Sequence, residues 1–115
     1  RTWTALDALE SALGYDGAIH HFKNYVLRGS DEYRRNALAR FQDVARHSAA
    51  LGAGTSLGAR EKAALGDLDG VVRLYVANIE VVRRMIGEKR SVADIDAAVT
   101  VDDTPATAAL RVLRQ

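Results

Sequence analysis

The chain has 115 residues, enough for one domain with a modest hydrophobic core. Hydrophobic residues make up 48% and charged residues 27%, the balance of a globular domain, and a single proline with few aromatics argues against an all-β fold. A net charge of +1 argues against a nucleic-acid partner, and the lack of cysteine excludes disulfides while leaving the cellular compartment open. No stretch reaches the roughly 18 apolar residues that a membrane span needs.

Two long helices are predicted in the first half of the chain. The first covers about residues 4–28, with Gly29 as its natural stop and Gly17 as one of two internal glycines that permit a bend. The second covers about residues 31–51, with Ser30 as its N-cap.

The third predicted helix has the most regular pattern in the chain. Its apolar residues alternate spacings of three and four, which is typical of the seam between packed helices. These residues are Leu65, Leu68, Val72, Tyr75, Ile79, Val82 and Ile86. A second seam, which includes Leu74, runs beside the first, so we expect this helix to be central in the fold and to end near Gly87.

The last part of the chain predicts two further helices. Ser91 and Asp94 have capping-box spacing and begin a short helix that ends at Ala98. After an extended connection, Thr104 is the expected N-cap of the last helix, with Pro105 at its first position.

These elements predict an all-α single domain over residues 1–115, an up-down-up-down four-helix bundle with a break before its last helix. Both chain ends then lie at one end of the bundle. The chain begins with Arg1 and ends inside an unfinished helical pattern over 106–115. We therefore expect a piece of a longer membrane protein, attached to the membrane through its first and last helices.

One apolar stripe of the first predicted helix contains polar residues. At about 100° per residue, seven positions share that stripe. They are Leu6, Leu9, Leu13, Gly17, His20, Asn24 and Leu27. Because a buried polar group is costly unless it is hydrogen-bonded, a histidine and an asparagine here predict a partner or a ligand.

The functional interpretation is a pocket between helices that binds a small molecule. Arginine recognises carboxylates and phosphates through paired hydrogen bonds, and histidine and asparagine add directional ones, so we expect an anionic ligand. The predicted ligand-binding residues are His20, His21, Asn24, Arg28, Tyr33 and Arg34.

Two alternatives stay open. In the first, the polar residues satisfy one another inside the bundle and fix helix register, in a dimerisation or spacer module without a ligand. In the second, the chain is a metal- or cofactor-binding four-helix bundle, although no HxxxH or ExxH spacing occurs and no pattern names a cofactor. The sequence also lacks a nucleophile elbow, a phosphate loop and a dinucleotide fingerprint, so no enzyme is predicted.

The same helix has a second apolar stripe opposite the polar residues. It consists of Tyr15, Ile19, Phe22 and Val26. A helix that is apolar on two sides must be covered on two sides. We therefore expect one side to face the core and the other to face a second subunit, in a homodimer.

Residues 13–29, LGYDGAIHHFKNYVLRG, resemble extracytoplasmic sensor domains of bacterial methyl-accepting chemotaxis proteins and of related histidine kinases and diguanylate cyclases. Residues 95–99 and 101–106 are similar to the end of the same module. The resemblance implies a helical, periplasmic ligand-binding domain that lies between two membrane spans and works as a homodimer in signal transduction. It implies neither a particular ligand nor a set of binding residues.

Overall fold

The computed structural model describes residues 2–13, 17–54 and 57–115, and in these ranges every regular element is an α-helix. The predicted all-α class is confirmed. The helices are α1 (Thr2–Leu13), α2 (Ala18–Arg28), α3 (Asp31–Gly54), α4 (Ala59–Gly87), α5 (Val92–Ala98) and α6 (Thr104–Arg114). Within the described ranges, none of them combines the length and the hydropathy that crossing a bilayer requires.

The helices form an elongated body of 48 × 22 × 18 Å. α3 packs along α1 and α2 in turn and also against α4, while α4 packs against α6. α6 in turn touches α1, and α5 contacts α2 and α4. One hydrophobic core therefore runs the length of the molecule, and its largest fully buried side chains are Phe41, Leu6, Leu9, Leu51, Leu68, Ile79, Val44 and Val82.

The first predicted helix is two helices, which corrects its predicted bounds. α1 ends at Leu13 and α2 begins at Ala18. At Gly17 the backbone lies so close to the carbonyl of Ala12 that a Cβ would fall far inside van der Waals contact, so only glycine fits. The predictions that involve Tyr15 and the second internal glycine, Gly14, lie outside the described residues.

The predicted stripe does not continue across this break. Its α1 members are buried, but in α2 the buried residues are Ala18, Phe22, Tyr25 and Val26, whereas Leu27 is 62% exposed. His20 is exposed and Asn24 is half-buried, so their predicted place in a core stripe is wrong. Burial of the larger apolar face outweighs continuity with α1, because stabilisation scales with the apolar area removed from water.

The predictions for α3 and α4 are largely confirmed. Six of the seven residues in the α4 seam are buried and Ile86 is half-buried. The second seam is less complete than predicted, since Leu74 is 56% exposed. α3 runs three residues past its predicted end and stops at Gly54.

Two helix ends follow local rules, and a third differs from its prediction. Gly29 ends α2 in the left-handed region, with φ of +68°, and donates its N–H to the Tyr25 carbonyl at 2.8 Å. The hydroxyl of Ser91 accepts the N–H of Asp94 at 3.1 Å, as predicted for α5. The N-cap of α6 is Asp103, one residue before the predicted one.

Candidate functional site

The polar residues predicted on α2, here called the α2 polar cluster, are His20, His21, Asn24 and Arg28. A hydrogen bond of 3.1 Å joins Asn24 Nδ2 to His20 Nε2 one helical turn away. The half-buried His21 ring meets the His20 ring edge-on, with centroids 6.0 Å apart. Arg28 is exposed in the last turn of the helix. The cluster therefore lies at the surface of α2, with its members exposed or half-buried, and not in the core.

The two predicted site residues of α3, Tyr33 and Arg34, are half-buried in its first two turns. Arg34 Nε donates to Asp31 Oδ1 at 2.7 Å, which holds the pKa of Asp31 below its usual value. The charge of Arg34 also reaches α2, because it partly offsets the rise that burial causes in the pKa of Tyr25. Arg34 is thus already engaged within α3, and ligand binding by the six residues stays a prediction.

A cavity of about 240 Å³ lies where α2, α4, α5 and the α5–α6 linker meet. We call it the Tyr75 cavity. Its lining residues are Phe22, Lys23, Val26, Tyr75, Asp96, Val99, Thr100, Val101 and Asp103. None of the six predicted site residues lines this cavity.

Aromatic rings form the base of the Tyr75 cavity. Tyr75 stacks on Phe41 with centroids 5.1 Å apart and an interplanar angle of 19°. Phe22 meets the Tyr75 ring edge-on at 5.1 Å and Phe41 at 6.4 Å. Such pairs add to area burial and hold each ring in one orientation. The base of the cavity is therefore rigid and apolar.

The polar centre of the cavity is a hydrogen bond between Tyr75 and Asp103. The phenol donates to Asp103 Oδ1 at 2.5 Å, and burial, reinforced by this bond, strongly raises the pKa of Tyr75. Within the described ranges, the second carboxylate oxygen of Asp103 has no hydrogen-bond partner. The bond therefore orients a half-buried carboxylate and leaves one of its oxygens available.

Side-chain hydrogen bonds attach the α5–α6 linker to α4 and to the end of α5. Asn78 Nδ2 of α4 donates to the Val99 carbonyl at 3.2 Å, and Thr100 Oγ1 donates to the Asp96 carbonyl at 2.8 Å. These bonds place Val99 and Thr100 as a wall of the cavity. Lys23 and Asp96 are exposed residues of the same lining.

Sequence reasoning missed this cavity. It placed Tyr75 in the core seam of α4 and Asp103 in the extended connection before the last helix. Within that connection Asp102 serves the helix start, since its Oδ1 accepts the N–H of Thr104 at 2.9 Å. One signal was available: the hydroxyl of a tyrosine in a core seam needs a partner.

A second depression of about 440 Å³ adjoins the cavity and shares Lys23, Val26 and Asp96 with it. We call it the α2–α5 groove. Its other lining residues are Leu27, Val92 and Ala93, and Val92 is 44% exposed. An apolar strip therefore runs over the surface from the mouth of the cavity.

Among the described residues, no three His, Asp or Glu side chains lie close enough together to form a metal site.

Comparisons with known proteins give no relative for this chain: no protein-family model, no curated protein and no solved structure matches it.

Proposed function

We propose that this chain is the extracytoplasmic ligand-sensing domain of a transmembrane receptor of the chemotaxis type, and that it binds a small molecule in the Tyr75 cavity. The observation that carries the proposal is the cavity itself, in which a rigid aromatic base, an oriented carboxylate and the linker to the last helix meet. Convergent polar groups over an apolar base are typical of ligand sites. The predicted anionic charge of the ligand depended on Arg28 and Arg34, which lie elsewhere.

The proposed topology is the up-down-up-down four-helix bundle, with α1 and α2 as one column and α3, α4 and α6 as the others. The helix contacts support this arrangement: α1 packs against α3, α3 against α4, α4 against α6, and α6 against α1. So does Arg114 in the last turn of α6, which donates to Glu10 Oε1 at 2.9 Å and to Asp7 Oδ1 at 3.0 Å in α1. The first and last helices are thereby joined at one end, where two flanking membrane spans would enter.

The proposed signal passes from the cavity into α6. Asp103 lines the cavity and is also the N-cap of α6. A ligand that binds Asp103 therefore acts directly on the start of that helix. Because a ligand shifts an equilibrium only by its differential affinity for two states, the expected motion is a small displacement of α6 against α1 and α4.

A thermal-shift screen of small organic ions and amino acids on the 115-residue chain tests the proposal. A ligand present at 100 times its Kd should stabilise the chain by about 2.7 kcal/mol. Val101→Phe, which fills the cavity from its linker wall, should abolish that stabilisation. Val81→Phe on α4 is the matched control, because Val81 is half-buried and does not line the cavity. The proposal fails if no compound stabilises the chain, or if both variants keep the response equally.

The α2–α5 groove favours a second candidate function, a dimerisation module without a ligand. The exposed side chains of Leu27 and Val92 would be covered in a homodimer, which also belongs to the leading proposal. Leu27→Asp should then weaken dimerisation in sedimentation velocity. A dimer that depends on Leu27, together with a screen that yields no ligand, would favour the second candidate.

A further inference from the structure

We infer that the Tyr75 cavity takes a small organic ammonium compound, whose cationic head binds Asp103 and whose carbon chain packs on Phe22 and the valines of the lining. The inference rests on the proposed function, because it assigns a chemical class to the same site. The α2 polar cluster predicts an anionic ligand, whereas this inference assigns a cationic head group. The difference arises because two carboxylates and one lysine line the cavity.

The oriented carboxylate of Asp103 is the first reason. Tyr75 occupies one of its oxygens, so the other is held in a fixed direction beside the cavity. An ammonium group brings three donors and no acceptor, and charge-assisted hydrogen bonds to a carboxylate are among the strongest in proteins. A carboxylate ligand would instead meet like charge.

The charge balance of the lining is the second reason. Asp31, Asp43 and Asp94 each form an ion pair with an arginine. Within the described residues, Asp96 and Asp103 have no basic partner within 4.0 Å, although both line the cavity. Two uncompensated carboxylates against the single cation of Lys23 favour a positively charged head group.

The aromatic base is the third reason. Phe22 and Tyr75 both line the cavity and are almost fully buried. A cation near an aromatic face is attracted by the ring quadrupole, while the methylene groups that carry it gain apolar contact. The volume of about 240 Å³ is below the roughly 300–1,000 Å³ of drug-sized pockets, which limits the ligand to a small molecule.

Lys23 provides a specificity element. It belongs to the lining but pairs with no acidic side chain within 4.0 Å in the described ranges. A ligand that carries a carboxylate at the end opposite its ammonium group would pair with Lys23. Simple amines and amino acids both carry an ammonium group, but only amino acids carry the carboxylate that would pair with Lys23.

Isothermal titration of the 115-residue chain with three probes of one carbon skeleton tests the inference: n-butylamine, butyrate and 4-aminobutyrate. We expect the two ammonium compounds to bind and butyrate not to bind. If 4-aminobutyrate binds more tightly than n-butylamine, and Lys23→Gln removes that difference, the ligand class is amino acids. If the two compounds bind equally, the ligand class is simple amines. Either result supports the ammonium chemistry.

Asp103→Asn keeps the size of the side chain and an acceptor for Tyr75 while removing the charge. It should weaken binding of the ammonium probes at least roughly tenfold. Asp102→Asn is the matched control, since it changes the neighbouring carboxylate, which does not line the cavity, and should leave binding unchanged. Equal effects of the two variants would overturn the inference.

Two outcomes separate this inference from the proposed function. Binding of butyrate that is sensitive to Val101→Phe would overturn the ammonium class and leave the cavity as a ligand site. Absence of binding by all three probes would also overturn the inference, while the wider thermal-shift screen with the same variant decides the proposed function by itself.

Discussion

Two polar regions of this protein lie within one turn of each other on α2, and they differ in almost every physical respect. The α2 polar cluster consists of exposed or half-buried neighbours on one helix, and the hydrogen bond between His20 and Asn24 lies within that helix. The Tyr75 cavity brings together residues of α2, α4, α5 and the linker around a buried phenol.

The difference shows why a polar helix face is weak support for a site. Hydrogen-bonding residues at helical spacing can be satisfied by solvent and by one another at the surface of a single helix. A phenol and a carboxylate that meet beside a buried aromatic cluster require tertiary structure to hold them. Convergence from several elements is the stronger indication of binding, and the following changes test that contrast.

The largest expected effect is at the base of the cavity. Phe22→Ala removes the ring that packs edge-on against Phe41 and Tyr75, and it should lower the free energy of unfolding by about 3–5 kcal/mol. Urea denaturation measures the change. Leu27→Ala on the exposed side of the same helix is the control and should cost less than about 0.5 kcal/mol. Similar losses in both variants would mean that α2 does not bury the face described here.

The next effect concerns the break between α1 and α2. Gly17→Ala should destabilise the chain by about 1–3 kcal/mol, because the new Cβ collides with the carbonyl of Ala12. Gly66→Ala in α4 is a matched control of opposite sign, since nothing lies near its Cβ position and alanine favours helix by roughly 0.5–1 kcal/mol. A stabilising Gly17→Ala would show that α1 and α2 do not meet closely at this glycine.

The Tyr75–Asp103 hydrogen bond should have an intermediate effect. Tyr75→Phe removes the donor to a charged acceptor and should cost about 1–2 kcal/mol near neutral pH in urea denaturation. It should also change the alkaline limb of stability. Because the pKa of Tyr75 is raised in the folded state, the unfolded chain loses this proton first once the pH passes about 10, and stability then falls as the pH rises.

This tyrosine alone contributes a slope of at most about 1.4 kcal/mol per pH unit. The contribution is fully present below about pH 10 and absent in Tyr75→Phe. Urea denaturation midpoints of the wild type and of Tyr75→Phe, taken between roughly pH 8 and pH 11, measure this difference in pH dependence. Parallel curves for the wild type and the variant would contradict a buried, hydrogen-bonded phenol.

Local rules explain what the sequence could predict. The alternating spacing of Leu65, Leu68 and Val72 predicts a buried seam because it depends only on helix geometry. The caps at Gly29 and Ser91 depend on one or two neighbouring residues, so they were predictable as well.

The features that the sequence could not predict depend on tertiary contacts. A glycine at position 17 permits a bend, but the direction of α2 depends on how Gly17 packs on Ala12. Tyr75 and Asp103 are 28 residues apart, and no local rule pairs them. The candidate site was therefore beyond a helix-by-helix analysis, whereas most of the core was not.

The smallest expected effect is at the α2 polar cluster. The double variant His20→Ala with Asn24→Ala removes an exposed hydrogen bond and should change the free energy of unfolding by less than about 0.5 kcal/mol. It should also leave the thermal response to ammonium compounds unchanged. A loss of that response would show that the α2 polar cluster takes part in ligand binding.

Titration of 4-aminobutyrate into the ¹⁵N-labelled chain, followed by amide chemical shifts, decides whether the Tyr75 cavity or the α2 polar cluster binds the ligand. Saturable shifts are expected at Thr100, Val101 and Asp103, with little change at His20 and Asn24. Saturable shifts centred on His20 and Asn24, with the linker unmoved, would contradict binding in the Tyr75 cavity.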